Sequence, residues 1–376
     1  MLNASLAGVI DECRKHAEIG TLYGARFGLT GILREDFINL FDPDEETISR
    51  IARAPASALG TSRHAASQDD LIRTLEIFRR HNVRYFFYTG GNGSMCTACQ
   101  LDLLAREMGL ELQVVGIPKT IDNDLMETDH CPGYGSAARF FASALRDIGA
   151  DNRSLPGQVE FVEVLGRNTG WIVAATSFAR SREDDAPHLI YLPESPLPLD
   201  QLLDDVDRVY QRLGRCVVAV CEGQLDETGQ PFGADVRVSS RGFLAMNLAH
   251  RLAVLVNERL KIRARGEKPG LLGRSSALNV SSSDWLEAGL CGRHAVIAGL
   301  RGQGGNMVTL MRDDQPEYAV HTGLAPLHRV ALRERAFPVE WRSNAPHKLS
   351  PAFLEYAAPL VGEISNHASF PEEPSG

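Results

Sequence analysis

Short apolar runs alternate along the chain with segments whose apolar residues recur at helical spacing. The runs predicted as strands are 21–23, 85–88, 112–115, 158–164, 188–192, 216–221 and 307–310. The segments predicted as helices are 4–16, 44–51, 69–81, 95–108, 200–213, 243–260 and 286–300, with a further helix after Gly170. Strands that alternate with helices predict an α/β protein with mostly parallel sheets.

The most informative strand exit is Gly-Ile-Pro-Lys-Thr-Ile-Asp-Asn-Asp, residues 116–124. Alternate residues of an extended chain point the same way, so we expect Thr120, Asp122 and Asp124 to share one face. Carboxylates this close repel each other, and the arrangement makes sense beside a cation such as Mg²⁺ or Lys119. The alternative is a solvated turn rich in Asp and Asn.

A second strand exit is Gly90-Gly91-Asn92-Gly93-Ser94, which separates a predicted strand from a predicted helix. Glycines allow the backbone to approach a phosphate, and the free N–H groups of a helix N-terminus favour an anion. No Gly-Lys-Ser/Thr comes after it, so the turn is not a Walker A motif. Such a turn can also simply end a strand, but two polar strand exits together indicate a binding crevice.

A third exit, Leu165-Gly166-Arg167, comes after the predicted strand 158–164. Its glycine leaves room for a ligand, and Arg167 is suited to bidentate binding of a phosphate. Taken alone, this motif is better explained as an arginine on a solvated loop.

Composition limits the function classes. A length of 376 residues is enough for two lobes, and a net charge of −9 argues against nucleic acid as a partner. No apolar run reaches the roughly eighteen residues of a membrane span. Seven scattered cysteines are typical of a reduced, cytoplasmic protein. Cys96 and Cys99 fit one helix face better than a zinc site.

These motifs, in this order, resemble the phosphofructokinase family, particularly its bacterial pyrophosphate-dependent branch. The resemblance rests on 90–94, 118–124 and 163–167, with weaker support from 221–223 and 272–276. It implies two Rossmann-like lobes, one formed by 1–128 and about 275–302, the other by 129–274 and about 303–370. The Pro/Glu/Ser tail, 371–376, is predicted to be disordered.

The resemblance also implies an enzyme that transfers a phosphoryl group to the 1-hydroxyl of fructose 6-phosphate in glycolysis. Asp122 corresponds to the general base and Lys119 to a charge-neutralising catalytic residue. The implied sugar-phosphate ligands are Thr120, Ile121, Leu165, Gly166, Arg167, Glu222 and Arg274. The implied donor-phosphate residues are Arg63, Gly91 and Gly93, and the implied Mg²⁺ residues are Asn92 and Asp124. Positioning and charge neutralisation are what phosphoryl transfer requires.

Two positions bear on the phosphoryl donor, and they disagree. In the family, Lys at position 119 accompanies pyrophosphate, whereas Gly at position 93 leaves room for a nucleotide. We expect pyrophosphate, with ATP as the alternative donor and a non-catalytic protein that binds sugar phosphate as the alternative function. Family members usually share the 6-phosphate site between subunits, so we expect a homo-oligomer, although Gln158 replaces an arginine often used there.

The N-terminus departs from the family pattern. Members begin with a strand and a Gly-Gly-x-x-Pro-Gly-like loop that binds the donor phosphate, and Leu2-Asn3-Ala4 matches the segment immediately after that loop. An absent parallel strand would leave a costly gap in a buried sheet. We therefore expect that the first strand is missing because the start of the chain was assigned too late.

Overall fold

A computed structural model describes residues 1–155, 157–232, 237–239, 242–243, 247–343, 345 and 348–367. The predicted disordered tail, 371–376, lies outside these residues. The α-helices are α1 (Leu2–Cys13), α2 (Leu29–Arg34), α3 (Glu45–Arg53), α4 (Gln68–Arg80), α5 (Asn92–Glu107), α6 (Tyr134–Ser154), α7 (Trp171–Ala175), α8 (Leu199–Leu213), α9 (Leu248–Arg259), α10 (Ser282–Leu300), α11 (Leu327–Val330) and α12 (Pro351–Val361).

The strands and the short 3-10 helices complete the described elements. The strands are β1 (Tyr23–Ala25), β2 (Phe37–Asn39), β3 (Tyr85–Gly90), β4 (Gln113–Pro118), β5 (Gln158–Val164), β6 (Leu189–Tyr191), β7 (Cys216–Cys221), β8 (Arg237–Ser239), β9 (Gly242–Phe243), β10 (Arg263–Glu267), β11 (Asn306–Arg312) and β12 (Val320–Pro326). The 3-10 helices are Thr176–Ala179, Gly270–Arg274 and Val339–Trp341. In the part of the chain that the structure describes, no helix has the length and apolar character needed to cross a membrane.

The chain divides into two compact units. Unit 1 contains Met1–Gly135 and Arg274–Arg335, and unit 2 contains Ser136–Gly273 and Ala336–Gly376. These units differ from the lobes inferred from the family mainly at residues 303–335. The family resemblance assigned this segment to the lobe of 129–274, whereas the structure assigns it to unit 1. This segment clusters with unit 1 because β11 pairs with β4 in a parallel ladder.

The main sheet of unit 1 has the order β12-β11-β4-β3. β3, β4 and β11 are parallel, and β12 pairs antiparallel with β11. Neighbouring residues of β4 face opposite sides: Val114 packs with residues of α4 and α5, and Val115 packs with residues of α1 and α10. Both faces of the central strand are therefore buried, which explains its unbroken apolar sequence. The expectation of a missing first strand stays a prediction.

The main sheet of unit 2 is entirely parallel, with the order β10-β5-β7-β6. β5 and β7 are buried along their whole length and have the bounds predicted from the sequence. Leu202 and Val206 of α8, with Leu252 and Val256 of α9, belong to the same buried cluster as β5 and β7. These parallel sheets confirm the predicted α/β class.

Local signals explain where several helices begin. The Asp44 side chain accepts a hydrogen bond from Thr47 N at 2.8 Å and so caps α3. Ser67 and Asp70 form a capping box at the start of α4. By contrast, the described part of the helix predicted over 243–260 begins at Leu248, and Gly242–Phe243 forms a short strand.

Two glycines allow α1 and α10 to pack with their backbones close together. A Cβ atom on Gly8 would lie 2.1 Å from Gly289 O, and one on Gly292 would lie 2.1 Å from Ser5 O. Backbone carbonyls cannot move aside without shifting a helix. A side chain at either position would therefore force the two helices apart.

We expect the substitution Gly292→Ala to lower the free energy of unfolding by about 1–3 kcal/mol, the usual cost of overpacking. Urea unfolding followed by circular dichroism measures this. Gly20→Ala is the control, since an added Cβ there meets no atom within 4 Å. Equal stability of the two variants would contradict the close helix packing.

Candidate active site

The first two strand exits identified in the sequence lie side by side in unit 1. The parallel register of β3 and β4 sets Gly90 opposite Pro118, and Lys119 N donates to Gly90 O at 3.0 Å. A Cβ atom on Gly91 would lie 3.4 Å from Thr120 Cβ, so a larger side chain would crowd the next strand exit. The α5 helix begins at Asn92, three residues before its predicted start, and its free N–H groups therefore lie at this exit.

Asn92 and Asp124 form a direct pair across the two exits. Asn92 Nδ2 donates to Asp124 Oδ2 at 2.8 Å. The Oδ1 atom of each side chain is buried and has no hydrogen-bond partner in the described residues. Burial raises the pKa of Asp124, whereas the hydrogen bonds from Thr120 and Asn92 lower it. Two unpaired buried oxygens are energetically costly, and oxygen atoms of this kind are the ligands that hard cations prefer.

Lys119 lies half-buried among charged groups of unit 1. Burial lowers the pKa of Lys119, while the nearby carboxylates of Asp122 and Asp284 raise it and the Arg274 charge lowers it further. Arg274 itself is exposed at the end of the 3-10 helix Gly270–Arg274. Arg63 is also exposed, and within the described residues it makes no hydrogen bond or ion pair with this group. The structure thus brings Lys119 and Asp122 together but does not bring Arg63 to them.

The expectation of an extended 120–124 segment is wrong. The chain bends at Ile121 and Asp122, and Asn123 has a left-handed φ of 54°. Asp122 N donates to Thr120 Oγ1 at 3.1 Å, and the buried Asn123 accepts a hydrogen bond from Cys131 N through Oδ1 at 2.9 Å. Thr120 and Asp124 therefore approach each other through a turn and not through strand alternation.

The third strand exit lies in unit 2, where β5 and β7 end at the same edge. Val164 pairs with Cys221, and Glu222 N donates to Val164 O at 3.0 Å. Gly166 has a φ of 138°, and an added Cβ would lie 2.9 Å from Thr169 O. Only glycine adopts this conformation without strain, so Gly166 allows the Leu165–Arg167 turn.

Glu222 lies next to this turn. Burial raises the pKa of Glu222, while the charges of Lys268 and Arg167 and a backbone hydrogen bond from Gly166 lower it. Lys268 also pairs with the buried Glu163, the residue before Val164. The structure therefore brings Leu165, Gly166, Arg167 and Glu222 together in unit 2. Thr120, Ile121 and Arg274 belong to unit 1.

A sequence model of the family described as "Phosphofructokinase" matches residues 1–299. The chain belongs to the phosphofructokinase family. This confirms the family that the three strand exits predicted.

Individual relatives cover nearly the whole chain. The pyrophosphate–fructose 6-phosphate 1-phosphotransferase of Rhodospirillum rubrum is 37% identical over 371 residues, which is 96% of this chain and 91% of that protein. The crystal structure of the pyrophosphate-dependent phosphofructokinase from Marinobacter aquaeolei is similar with a TM-score of 0.87 and 32% identity. That from Nitrosospira multiformis has a TM-score of 0.88 and 31% identity. The chain is covered completely in both cases, against 91% and 92% of those structures.

Sequence reasoning missed a buried ionic network beside the 118–124 family motif. His130 lies between two carboxylates: Nδ1 is 2.8 Å from Asp129 Oδ1, and Nε2 is 2.7 Å from Glu287 Oε2. Tyr318 donates its hydroxyl to Glu287 Oε1 at 2.6 Å, and Arg312 Nη2 donates to Asp129 Oδ1 at 3.2 Å. No sequence signal connects these residues, because they come from three separate parts of unit 1.

The network predicts a loss of stability at alkaline pH. Burial alone would lower the pKa of His130, but Asp129 and Glu287 raise it above its usual value near 6.5. A raised folded-state pKa stabilises the protein fully below about pH 6.5, and this contribution is lost as the pH rises through the folded-state value. We expect His130→Gln to be less stable than the wild type at pH 6 by about 3–5 kcal/mol, and the gap to narrow by pH 9.

Thermal unfolding between pH 6 and pH 9 measures the gap. His64→Gln is the control, because His64 is exposed and lies 2.9 Å from Asp70 at the surface. A stability gap for His130→Gln that is the same at pH 6 and pH 9 would show that His130 is not protonated in the folded protein.

Proposed function

We propose that this chain transfers a phosphoryl group from pyrophosphate to the 1-hydroxyl of fructose 6-phosphate, as a step of glycolysis. The observation that carries the proposal is the cluster of Lys119, Asp122, Asn92 and Asp124 at two adjacent strand exits. The names of the relatives in Rhodospirillum rubrum, Marinobacter aquaeolei and Nitrosospira multiformis support this donor and, for the first, this acceptor.

Asp122 is the proposed general base. It is half-buried, and its charge interacts with the Lys119 ammonium near it. A carboxylate can accept the proton of the sugar hydroxyl as the oxygen attacks phosphorus. Lys119 and the N–H groups that open α5 would stabilise negative charge on the phosphoryl oxygens. We infer that Gly91 and Gly93 let the donor phosphate approach these groups.

Asn92 and Asp124 fit a Mg²⁺ ion. Each has one buried oxygen without a hydrogen-bond partner in the described residues, the two side chains are bonded to each other, and oxygen is the ligand Mg²⁺ prefers. In the described residues no cluster of three or more His, Cys, Asp or Glu side chains could hold a metal. Mg²⁺ commonly has one or two protein ligands and completes its shell with water and substrate phosphates. When bound, it would neutralise charge on the donor phosphates.

The turn at the end of β5 is the proposed sugar-phosphate subsite of unit 2. Gly166 leaves backbone space, Arg167 offers a forked donor to phosphate, and Glu222 can accept hydrogen bonds from sugar hydroxyls. Thr120, Ile121 and Arg274, which belong to unit 1, are also proposed as sugar-phosphate ligands. We also propose that the protein forms a homo-oligomer and is located in the cytoplasm. Gln158 is buried and donates to Glu160 Oε1 at 2.8 Å, so it is not available for a shared phosphate site.

ATP is the second candidate donor. Gly93 is exposed in the first turn of α5 and has no side chain that would exclude a nucleotide. A charged residue at this position would occupy the space beside the donor phosphates. Comparing the two donors on the same preparation therefore decides which of Lys119 and Gly93 governs donor choice.

We expect turnover of fructose 6-phosphate with Mg²⁺ and pyrophosphate, and a loss of about 10²–10⁴-fold in kcat for Asp122→Asn, the usual contribution of a general base. Release of fructose 1,6-bisphosphate measures this. Asp314→Asn is the control, because Asp314 is exposed on the loop between β11 and β12. Turnover with ATP but not with pyrophosphate would show that ATP is the donor. Sugar-phosphate binding by calorimetry with no turnover on either donor would support the non-catalytic alternative.

We expect Asp124→Asn to weaken binding of a divalent cation by at least roughly 10-fold, since even outer partners of a metal site contribute 10- to 100-fold. Electron paramagnetic resonance of Mn²⁺ titrated into protein and pyrophosphate measures this without turnover. Asp314→Asn should bind Mn²⁺ like the wild type. Unchanged Mn²⁺ affinity in Asp124→Asn would exclude the Asn92–Asp124 pair as the metal site.

A further inference from the structure

Arg335 binds the backbone of the loop that carries the proposed catalytic carboxylates. Its own N–H donates to Asp124 O at 2.8 Å. Its guanidinium donates to Asn123 O through Nε at 3.1 Å and Nη2 at 2.8 Å. The same guanidinium donates through Nη1 to Thr128 O at 2.8 Å and to Asp129 O. One residue therefore makes five hydrogen bonds to four carbonyls of this loop.

The loop needs such a partner because residues 121–130 form no helix or strand. Asn123 and Glu127 both have left-handed backbone conformations, with φ of 54° and 65°. Carbonyls in such a segment are not satisfied by a regular hydrogen-bond ladder, and leaving them buried and unpaired is costly. A guanidinium has five N–H donors in a rigid fork and remains charged at any relevant pH.

We propose that Arg335 is a positioning residue for Asp122 and Asp124, a proposal that rests on the function proposed above. Asn123 lies between the two aspartates, and two donors of Arg335 bind its carbonyl. Fixing that carbonyl sets the orientation of the peptide planes on both sides of Asn123. A reacting group displaced by about 1 Å can lose roughly 100-fold in rate, so this control matters for catalysis.

Other contacts hold the far end of the loop. Asn123 Oδ1 accepts from Cys131 N at 2.9 Å, and Asp284 Oδ1 accepts from Gly133 N at 2.6 Å. These bonds do not involve Arg335. Removing its guanidinium therefore releases the middle of the loop while the end near Gly133 stays attached, and the effect should be local.

Unit 2 contains a matched control arginine. Arg146 donates to the carbonyls of Ala179, Phe178, Ile364 and Ser365. The guanidinium of Arg146 therefore makes four hydrogen bonds to backbone carbonyls, as many as the guanidinium of Arg335, and Arg146 is not part of the proposed site. Arg335→Gln and Arg146→Gln remove comparable sets of hydrogen bonds, and they differ in which segment is released.

The experiment measures kcat, KM and hydrogen exchange of the loop for wild type, Arg335→Gln, Arg335→Lys and Arg146→Gln. We expect Arg335→Gln to lower kcat by roughly 10- to 100-fold and to speed amide exchange in peptides covering 120–131. Arg335→Lys should have a kcat and an exchange rate between those of the wild type and Arg335→Gln, because lysine keeps the positive charge but lacks the forked donors of the guanidinium. Arg146→Gln should lose stability but keep the wild-type kcat and the wild-type exchange in 120–131.

Wild-type kcat and exchange in both Arg335 variants would overturn the proposal. An equal loss of kcat in Arg146→Gln would also overturn it, because the effect would then reflect general destabilisation. If Arg335→Gln does not fold, Arg335→Lys alone decides between these outcomes. A wild-type protein that turns over neither pyrophosphate nor ATP refutes the proposed function. Faster exchange of 120–131 in the Arg335 variants would then still show that Arg335 holds this loop, and unchanged exchange would refute that hold.

Discussion

The arrangement of Asn92, Lys119, Thr120 and Asp124 depends on the parallel pairing of β3 with β4. Because parallel strands end at the same edge, the register that sets Gly90 opposite Pro118 also sets the start of α5 beside Lys119 and Thr120. The bond from Lys119 N to Gly90 O continues the ladder for one residue beyond Pro118. The contact between Asn92 and Asp124 results from this pairing, since each lies a few residues beyond its strand. A shift of one residue in this register would separate them.

Much of the fold could be predicted because the central strands β4, β5 and β7 are short and buried along most or all of their length. β5 and β7 have their predicted bounds for this reason. The errors occur where tertiary contacts decide the backbone. The helix after Gly170 has only five α-helical residues before a 3-10 turn, and α6 was not predicted although it spans 21 residues. Small residues at the start of α6 weaken its apolar periodicity, so burial against the rest of unit 2 determines it.

The candidate site was predictable only where its residues lie next to one another in the chain. Lys119, Asp122 and Asp124 form one run, and Gly166 and Arg167 another. Asp284, Glu287 and Arg335 lie about 150 or more positions away and belong to no motif, yet they contact the loop between Thr120 and Gly133. Even the turn at Asn123 could not be foreseen, because bonds from Cys131 and Arg335 stabilise its left-handed backbone. A sequence pattern therefore identifies the proposed reacting residues more readily than the distant residues that hold their loop in place.

A net charge of −9 is compatible with anionic substrates because local burial, and not total charge, sets the potential at a site. Lys119 is enclosed with Asp122 and Asp284, so its charge is balanced before any substrate is present. Burial raises the pKa of Asp124, which lowers the cost of adding negative charge beside it. In the proposed reaction, phosphates and a cation would exchange partners with these groups. Such an exchange requires that the loop carrying Asp122 and Asp124 keep its shape, and the bonds from Arg335 and Asp284 supply that rigidity.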